Sequence, residues 1–148
     1  MCGLDSITIE LLGQPVPWKA ATVTRHGAYS PAKYKAWKTE ATLRARLQYG
    51  ECSSEPMTGP IGLEIWVRWA THEPDLTNVV KGTEDALEAA GVFPNDRQVV
   101  EQRNYKMWDR ENPGVRVRVW RVESVNTLLH SAAFVFPDAN EGGHLFHI

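Results

Sequence analysis

The 148-residue chain predicts one small α+β domain over residues 1–123, a mixed β-sheet with two packed helices, followed by a C-terminal extension over 124–148. Three observations point there. Several segments alternate apolar and polar residues with the period of two that marks a strand with one buried face. Two others repeat apolar residues at helical spacing. Their order is strand, helix, strand, helix, strand, strand, which suits helices layered on one sheet. A chain of this length holds one compact core and leaves little room for a second.

Ser6 to Leu12 sets Ile7, Ile9 and Leu11 against Thr8 and Glu10, a first strand. Gly13 to Ser30 is a long connection, because Pro15, Pro17 and Gly27 break regular structure. Connections of this length in small domains are commonly functional or disordered. Ser30-Pro31 predicts an N-cap followed by Pro in the first helical position. From there Tyr34, Trp37, Ala41 and Arg44-Ala45 run at helical spacing to about Tyr49, and Gly50 to Pro60 is a polar link. Ile61 to Ala70 is the second strand, with Leu63, Ile65, Val67 and Trp69 on one face. A second helix begins near Thr77 or Asn78, carries the stripe Val79, Val80, Ala86, Leu87 and Ala90, and stops at Gly91. The Thr77 hydroxyl is a good cap for that helix. Gln98 to Trp108 alternates as a strand, Asp109 to Gly114 turns, and Val115 to Val122 is the last strand, with Val115, Val117 and Val119 opposite Arg116, Arg118 and Trp120.

The hydrophobic share of 43% and charged share of 23% are ordinary for a globular protein. No run approaches the roughly 20 apolar residues of a membrane helix, and no secretion signal is expected at the N-terminus. Cys2 and Cys52 lack CxxC spacing and are expected as two free thiols in a reducing cytoplasm. The net charge of -2 hides an asymmetry, since all 16 Lys and Arg lie at or before Arg121. Between Val16 and Arg46 stand Lys19, Arg25, Lys33, Lys35, Lys38, Arg44 and Arg46 against the single acid Glu40. Such a segment suits either phosphate backbones or a solvated helix face, and composition does not choose between them.

The chemistry concentrates in Pro74-Asp75-Leu76-Thr77-Asn78-Val79-Val80-Lys81, then Asp85-Ala86-Leu87, then Asn95-Asp96-Arg97-Gln98-Val99-Val100, then Lys106. Asp75 precedes a helix and Asp96 opens the strand after it, so a helix returning to its sheet is expected to bring the two carboxylates together. Converging carboxylates stay charged only with a cation between them, and hard oxygen ligands suit Mg2+ or Mn2+. Lys81, about one turn into the helix, suits stabilising charge on a phosphate in transition. Taken singly, each has a plainer reading: a helix cap for Asp75, a turn residue for Asp96, a solvated Lys81. Glu101 is a weaker auxiliary candidate, Asp85 a structural residue, and the five histidines show no zinc-type pairing. Trp18, in the basic loop, suits stacking on an exposed base.

The block resembles the signature of the RusA family of Holliday junction resolvases, P-D-x-D-N-x-x-K, then D-A-L, then D-D-x-Q-V, then a Lys. The chain matches it at Pro74, Asp75, Asn78, Lys81, Asp85, Ala86, Leu87, Asp96, Gln98, Val99 and Lys106, and at the family's G-x-P-x-P-K opening through Gly13, Pro15, Pro17 and Lys19. The resemblance spans roughly residues 6 to 122 in order. It implies a RusA-like fold and a homodimeric, Mg2+-dependent endonuclease, acting on four-way DNA junctions in recombination and repair. It places Asp75 and Asp96 on metal-binding carboxylate positions and Lys81 on the catalytic lysine. The basic surface that grips DNA is expected at Lys19, Arg25, Lys33, Lys35, Lys38 and Lys106. Two positions depart from the pattern: Thr77 stands where the family has a second Asp, and Asn95 replaces the first Asp of the D-D pair. The loss at position 77 removes a carboxylate, which keeps a catalytically silent junction-binding protein as a rival. A small partner-binding domain is a second rival.

Overall fold

The computed structural model describes residues 2–3, 5–29 and 31–123, so the extension over 124–148 lies outside the described residues. The elements are β1 (Ser6–Leu12), β2 (Thr22–Thr24), β3 (Gly27–Tyr29), α1 (Ala32–Gly50), β4 (Ile61–Trp69), α2 (Leu76–Ala89), β5 (Val99–Trp108) and β6 (Gly114–Arg121), with a single 3-10 turn at Asp96–Gln98. Four strands form one sheet in the order β1-β6-β4-β5. β1 and β4 both run antiparallel to β6, while β4 and β5 are parallel. The mixed sheet with two packed helices is therefore the expected architecture.

Alternation explains which face is covered. Ile61, Leu63, Ile65 and Val67 of β4 are fully buried, as are Val115, Val117 and Val119 of β6 and, on β1, Ile9. They meet Val79, Ala86 and Leu87 of α2 and the small residues Ala41 and Ala45 of α1 in one core, which Phe93 completes. The intervening residues line the helix-free face. There Trp66 stacks on Tyr105 at 4.2 Å between centroids, and the Arg118 guanidinium lies 4.7 Å over the Trp120 ring. Glu10 of β1 accepts from Arg68 of β4 at 2.8 Å and also pairs with Arg116 of β6, tying three strands together. Helix α2 ends as predicted, with Gly91 at φ 82°. Gly91 N donates to Glu88 O at 3.1 Å and Val92 N to Leu87 O at 3.0 Å, the paired bonds of a Schellman ending.

The structure adds one element and corrects two expectations. The connection after β1 contains a short hairpin: β2 pairs β3 antiparallel around Arg25-His26, and Gly27 takes a φ of 127°. Pro31 is the N-cap of α1 rather than its first residue, and no side chain caps that end; Ser30 lies outside the described residues. Cys2 and Cys52 are not free thiols but form a disulfide. The chain before β1 doubles back, with Cys2 bridged to Ile7 and Gly3 N donating to Ser6 O at 2.8 Å. That reversal carries Cys2 to the end of α1, where Cys52 N donates to Tyr49 O at 2.9 Å.

The bridge closes a separation of 50 residues, for which the loss of chain entropy in the unfolded state contributes about 4 kcal/mol. Reduction with dithiothreitol, or Cys52→Ala, should lower the unfolding free energy by about 2–4 kcal/mol. Urea unfolding with and without reductant measures it; an unchanged midpoint would show that the bridge does not form.

Candidate active site

The site is built around α2. Its apolar stripe faces the sheet, which leaves Thr77, Lys81 and Glu84 on one outer face through the i, i+4, i+7 spacing. Asp75, not Thr77, is the N-cap: it has an extended backbone, and its Oδ1 accepts from Asn78 N at 3.0 Å. Both residues are competent caps, but a helix starting at Leu76 puts the carboxylate in the capping position and leaves Thr77 exposed in the first turn.

The loop after β1 docks on this end of the helix. Gln14 Oε1 accepts from Ala70 N at 2.8 Å and Thr71 N at 3.2 Å, and its Nε2 donates to His72 O at 2.9 Å. Trp18 N donates to Asn78 O at 3.0 Å, and the Trp18 ring lies 4.9 Å from Lys81 Nζ. Beside this loop is a cleft of about 520 Å3 walled by Pro15, Pro17, Pro31 and Pro74, with Lys19 and Lys33 among its lining residues. Lys19, Arg25, Lys33 and Lys35 are exposed, and Lys38 is half-buried. Lys106, expected to touch DNA, is exposed and also holds this turn: its Nζ donates to Pro74 O at 3.2 Å and pairs with Glu73 at 3.0 Å. It braces the turn that presents Asp75.

Asp96 lies elsewhere. It opens the 3-10 turn before β5, where Asn95 is the cap: its Oδ1 accepts from Arg97 N at 2.8 Å, and Gln98 Oε1 accepts from Asn95 N at 2.9 Å. Gln98 Nε2 then reaches Met57 O at 2.9 Å and Gly59 O at 3.0 Å, at the start of β4. An amide at position 95 does this capping without charge, so the departure from the family pattern leaves the turn intact. Lys106 and Pro74 mark the far end of the same strand pair. The 14 residues of α2 rise about 21 Å between these ends. The expected meeting of Asp75 and Asp96 is thus not made within one chain. Among the described residues no group of three or more His, Cys, Asp or Glu side chains is arranged to hold a metal.

Glu84 was not singled out by sequence. It is half-buried and accepts from Gln102 Nε2 of β5 at 2.6 Å. Burial pushes its carboxyl upward; the Gln102 bond opposes this, the fields of Asp96 and Asp85 add to it, and Lys81 opposes it. Its shared helix face with Lys81, three residues earlier, is the signal that would have found it. Glu101, the auxiliary candidate, points away from this face: its neighbour Gln102 meets α2, and Glu101 lies 3.9 Å from Arg103 on the helix-free side. Asp85 lies on α2 close enough to the buried Tyr34 of α1 for its charge to be felt there. Burial, with the Asp85 carboxylate second, pushes the Tyr34 phenol up to about 12.

A carboxyl whose folded pKa is raised adds stability below its unfolded pKa and loses it as pH rises through the folded value. Glu84→Gln should therefore stabilise the protein above that window and leave it little changed below. Unfolding midpoints of both proteins across the acidic to neutral range measure this; parallel curves would remove Glu84 from the charged cluster.

Among curated proteins the chain finds no match. The family model described as Endodeoxyribonuclease RusA matches residues 13–120, from the proline-rich loop through β6. That span holds the docked loop, α2 with Asp75 and Lys81, the Asn95–Gln98 turn and Lys106. The chain belongs to the RusA endodeoxyribonuclease family.

Proposed function

We propose that this protein is a divalent-metal-dependent, structure-selective endonuclease that resolves Holliday junctions as a homodimer. In this reading each site combines Asp75 and Lys81 of one copy with Asp96 of the partner subunit. The observation that carries it is the separation of Asp75 from Asp96 by the length of α2, set beside the character of β5. That strand is ten residues long and lies at the sheet edge. Its exposed apolar residues include Tyr105, Met107 and, at 62% exposure, Trp108. A long, unprotected edge favours pairing with another strand. Antiparallel pairing of β5 with its own copy about a two-fold axis reverses the partner strand. The partner's Asp96 then approaches the end where Lys106 braces Asp75.

The described residues of one copy assemble no cluster of three or more metal-ligating side chains, but the two-copy arrangement offers two carboxylates and the neutral Thr77 hydroxyl, hard oxygen donors that fit Mg2+ or Mn2+. Such an ion, when bound, polarises the phosphate and lowers the pKa of water. The protein's own part is positional and electrostatic. Lys81 offers positive charge where negative charge develops on the phosphate oxygens. Lys19, Arg25, Lys33 and Lys35 line the approach for the flanking phosphates, with Lys38 behind them.

A second reading has its own support. Thr77 and the engagement of Asp75 in capping both suit a silent junction-binding protein with weak metal affinity. Nicking of synthetic four-way junctions in Mg2+ and Mn2+ separates the two. Asp75→Asn and Asp96→Asn should each abolish paired nicks while retaining junction binding, and Thr77→Asp should raise the rate at limiting Mg2+. Mixing the two inactive variants should restore nicking, because a mixed dimer regains one intact site. No recovery on mixing would place both carboxylates in one copy's site; no nicking by the wild type in either metal would favour the silent binder.

The basic segment makes a separate prediction. Reversing Lys19 and Lys33 to Glu should weaken junction binding and flatten its dependence on salt, since fewer counterions are released. An unchanged salt slope would move the DNA path off this face.

A further inference from the structure

We infer that Trp18 is a positioning residue for Lys81. A lysine on an exposed helix face has a long, flexible stem and samples many rotamers, which is poor placement for a group that must meet one phosphate oxygen. Among the described residues no carboxylate lies within ion-pair distance of the Lys81 nitrogen. What meets it is the Trp18 ring, at 4.9 Å to the centroid and within the range of cation–π attraction.

The ring is held there by its own backbone. Trp18 N donates to Asn78 O at 3.0 Å, and Asn78 is one turn before Lys81 on the same helix. Behind it, Gln14 fastens the loop to Ala70, Thr71 and His72, while Pro15 is buried. One residue therefore touches α2 twice, by main chain at Asn78 and by ring at Lys81. The loop is anchored at both points, so the indole is a fixed surface on which the ammonium rests. A ring already facing Lys81 is also less suited to stacking on an unpaired base, the role its place in a basic loop suggests.

The geometry stands on its own, and its consequence for cleavage rests on the nuclease reading, so the test separates them. Trp18→Leu and Trp18→Phe are compared with wild type by two measurements. The first is the Lys81 Cε methylene resonance, assigned through Lys81→Arg. It should be displaced by the ring current in wild type and in Trp18→Phe, and relaxed in Trp18→Leu. The second is junction nicking. Trp18→Leu should lower kcat about tenfold with KM changed less than about twofold, and Trp18→Phe should restore most of the rate. A Lys81 resonance without ring-current displacement in wild type, or one indifferent to Trp18→Leu, would overturn the assignment. So would a rise in KM with kcat unchanged, which would make Trp18 a DNA contact. If the wild type does not nick at all, the nuclease reading fails, and the resonance alone decides whether Trp18 holds Lys81.

Discussion

Two adjacent parallel strands cannot be joined by a tight turn, because the chain must travel back along their length before it can run forward again. Here that return is α2. Its direction follows from the parallel pairing of β4 with β5, and with it the placement of Asp75, Lys81, Glu84 and Asp96. The helix begins where β4 ends, so Asp75 stands beside the Pro74 turn and the far end of β5. It finishes where β5 begins, so the Asn95–Gln98 turn and Asp96 stand beside the start of β4. The burial of Val79, Ala86 and Leu87 fixes the roll of the helix about its axis. What remains for solvent is the face bearing Thr77, Lys81 and Glu84.

Around that helix, several polar contacts fasten loops to elements, beside the Gln102–Glu84 bond that joins β5 to α2. Gln14, Gln98 and Lys106 each use a long side chain to reach main-chain carbonyls or amides far away in sequence, at separations of 56, 41 and 32 residues. Each occupies a position of the family pattern or lies beside one. All three hold loops in place, and for Lys106 this comes beside the DNA contact that the motif suggests. Conversely Glu84, outside the pattern, shares the charged face with Lys81.

The strands were legible because one sheet face is buried and the other carries charge, so Ile61 to Val67 and Val115 to Val119 alternate cleanly. The β2–β3 hairpin was not, because its strands are three residues long and β2 is exposed throughout, so alternation has nothing to report. The cap of α2 was misplaced by two residues because Asp75 and Thr77 are both good caps and only packing chooses the first turn. The meeting of Asp75 with Asp96 could not be judged from spacing, which gives order along the chain but not the direction of the connecting helix. The disulfide was invisible for a related reason: Cys2 reaches Cys52 only through a reversal ahead of β1 that no local pattern announces.

The capping bond of Asp75 has a consequence for how such a site ages. Asparagine caps a helix as well as aspartate does. An Asp-to-Asn exchange at position 75 would therefore remove a negative charge while the helix start, the docked loop and the core stay as they are. The chain already carries one such exchange relative to the family pattern, at Asn95, where the amide caps its turn through Arg97 N. Folding does not police the charge at either place. On the proposed reading of Asp75 as a metal ligand, cleavage alone asks for a carboxylate at position 75, and a copy relieved of that demand loses the charge without losing the helix start.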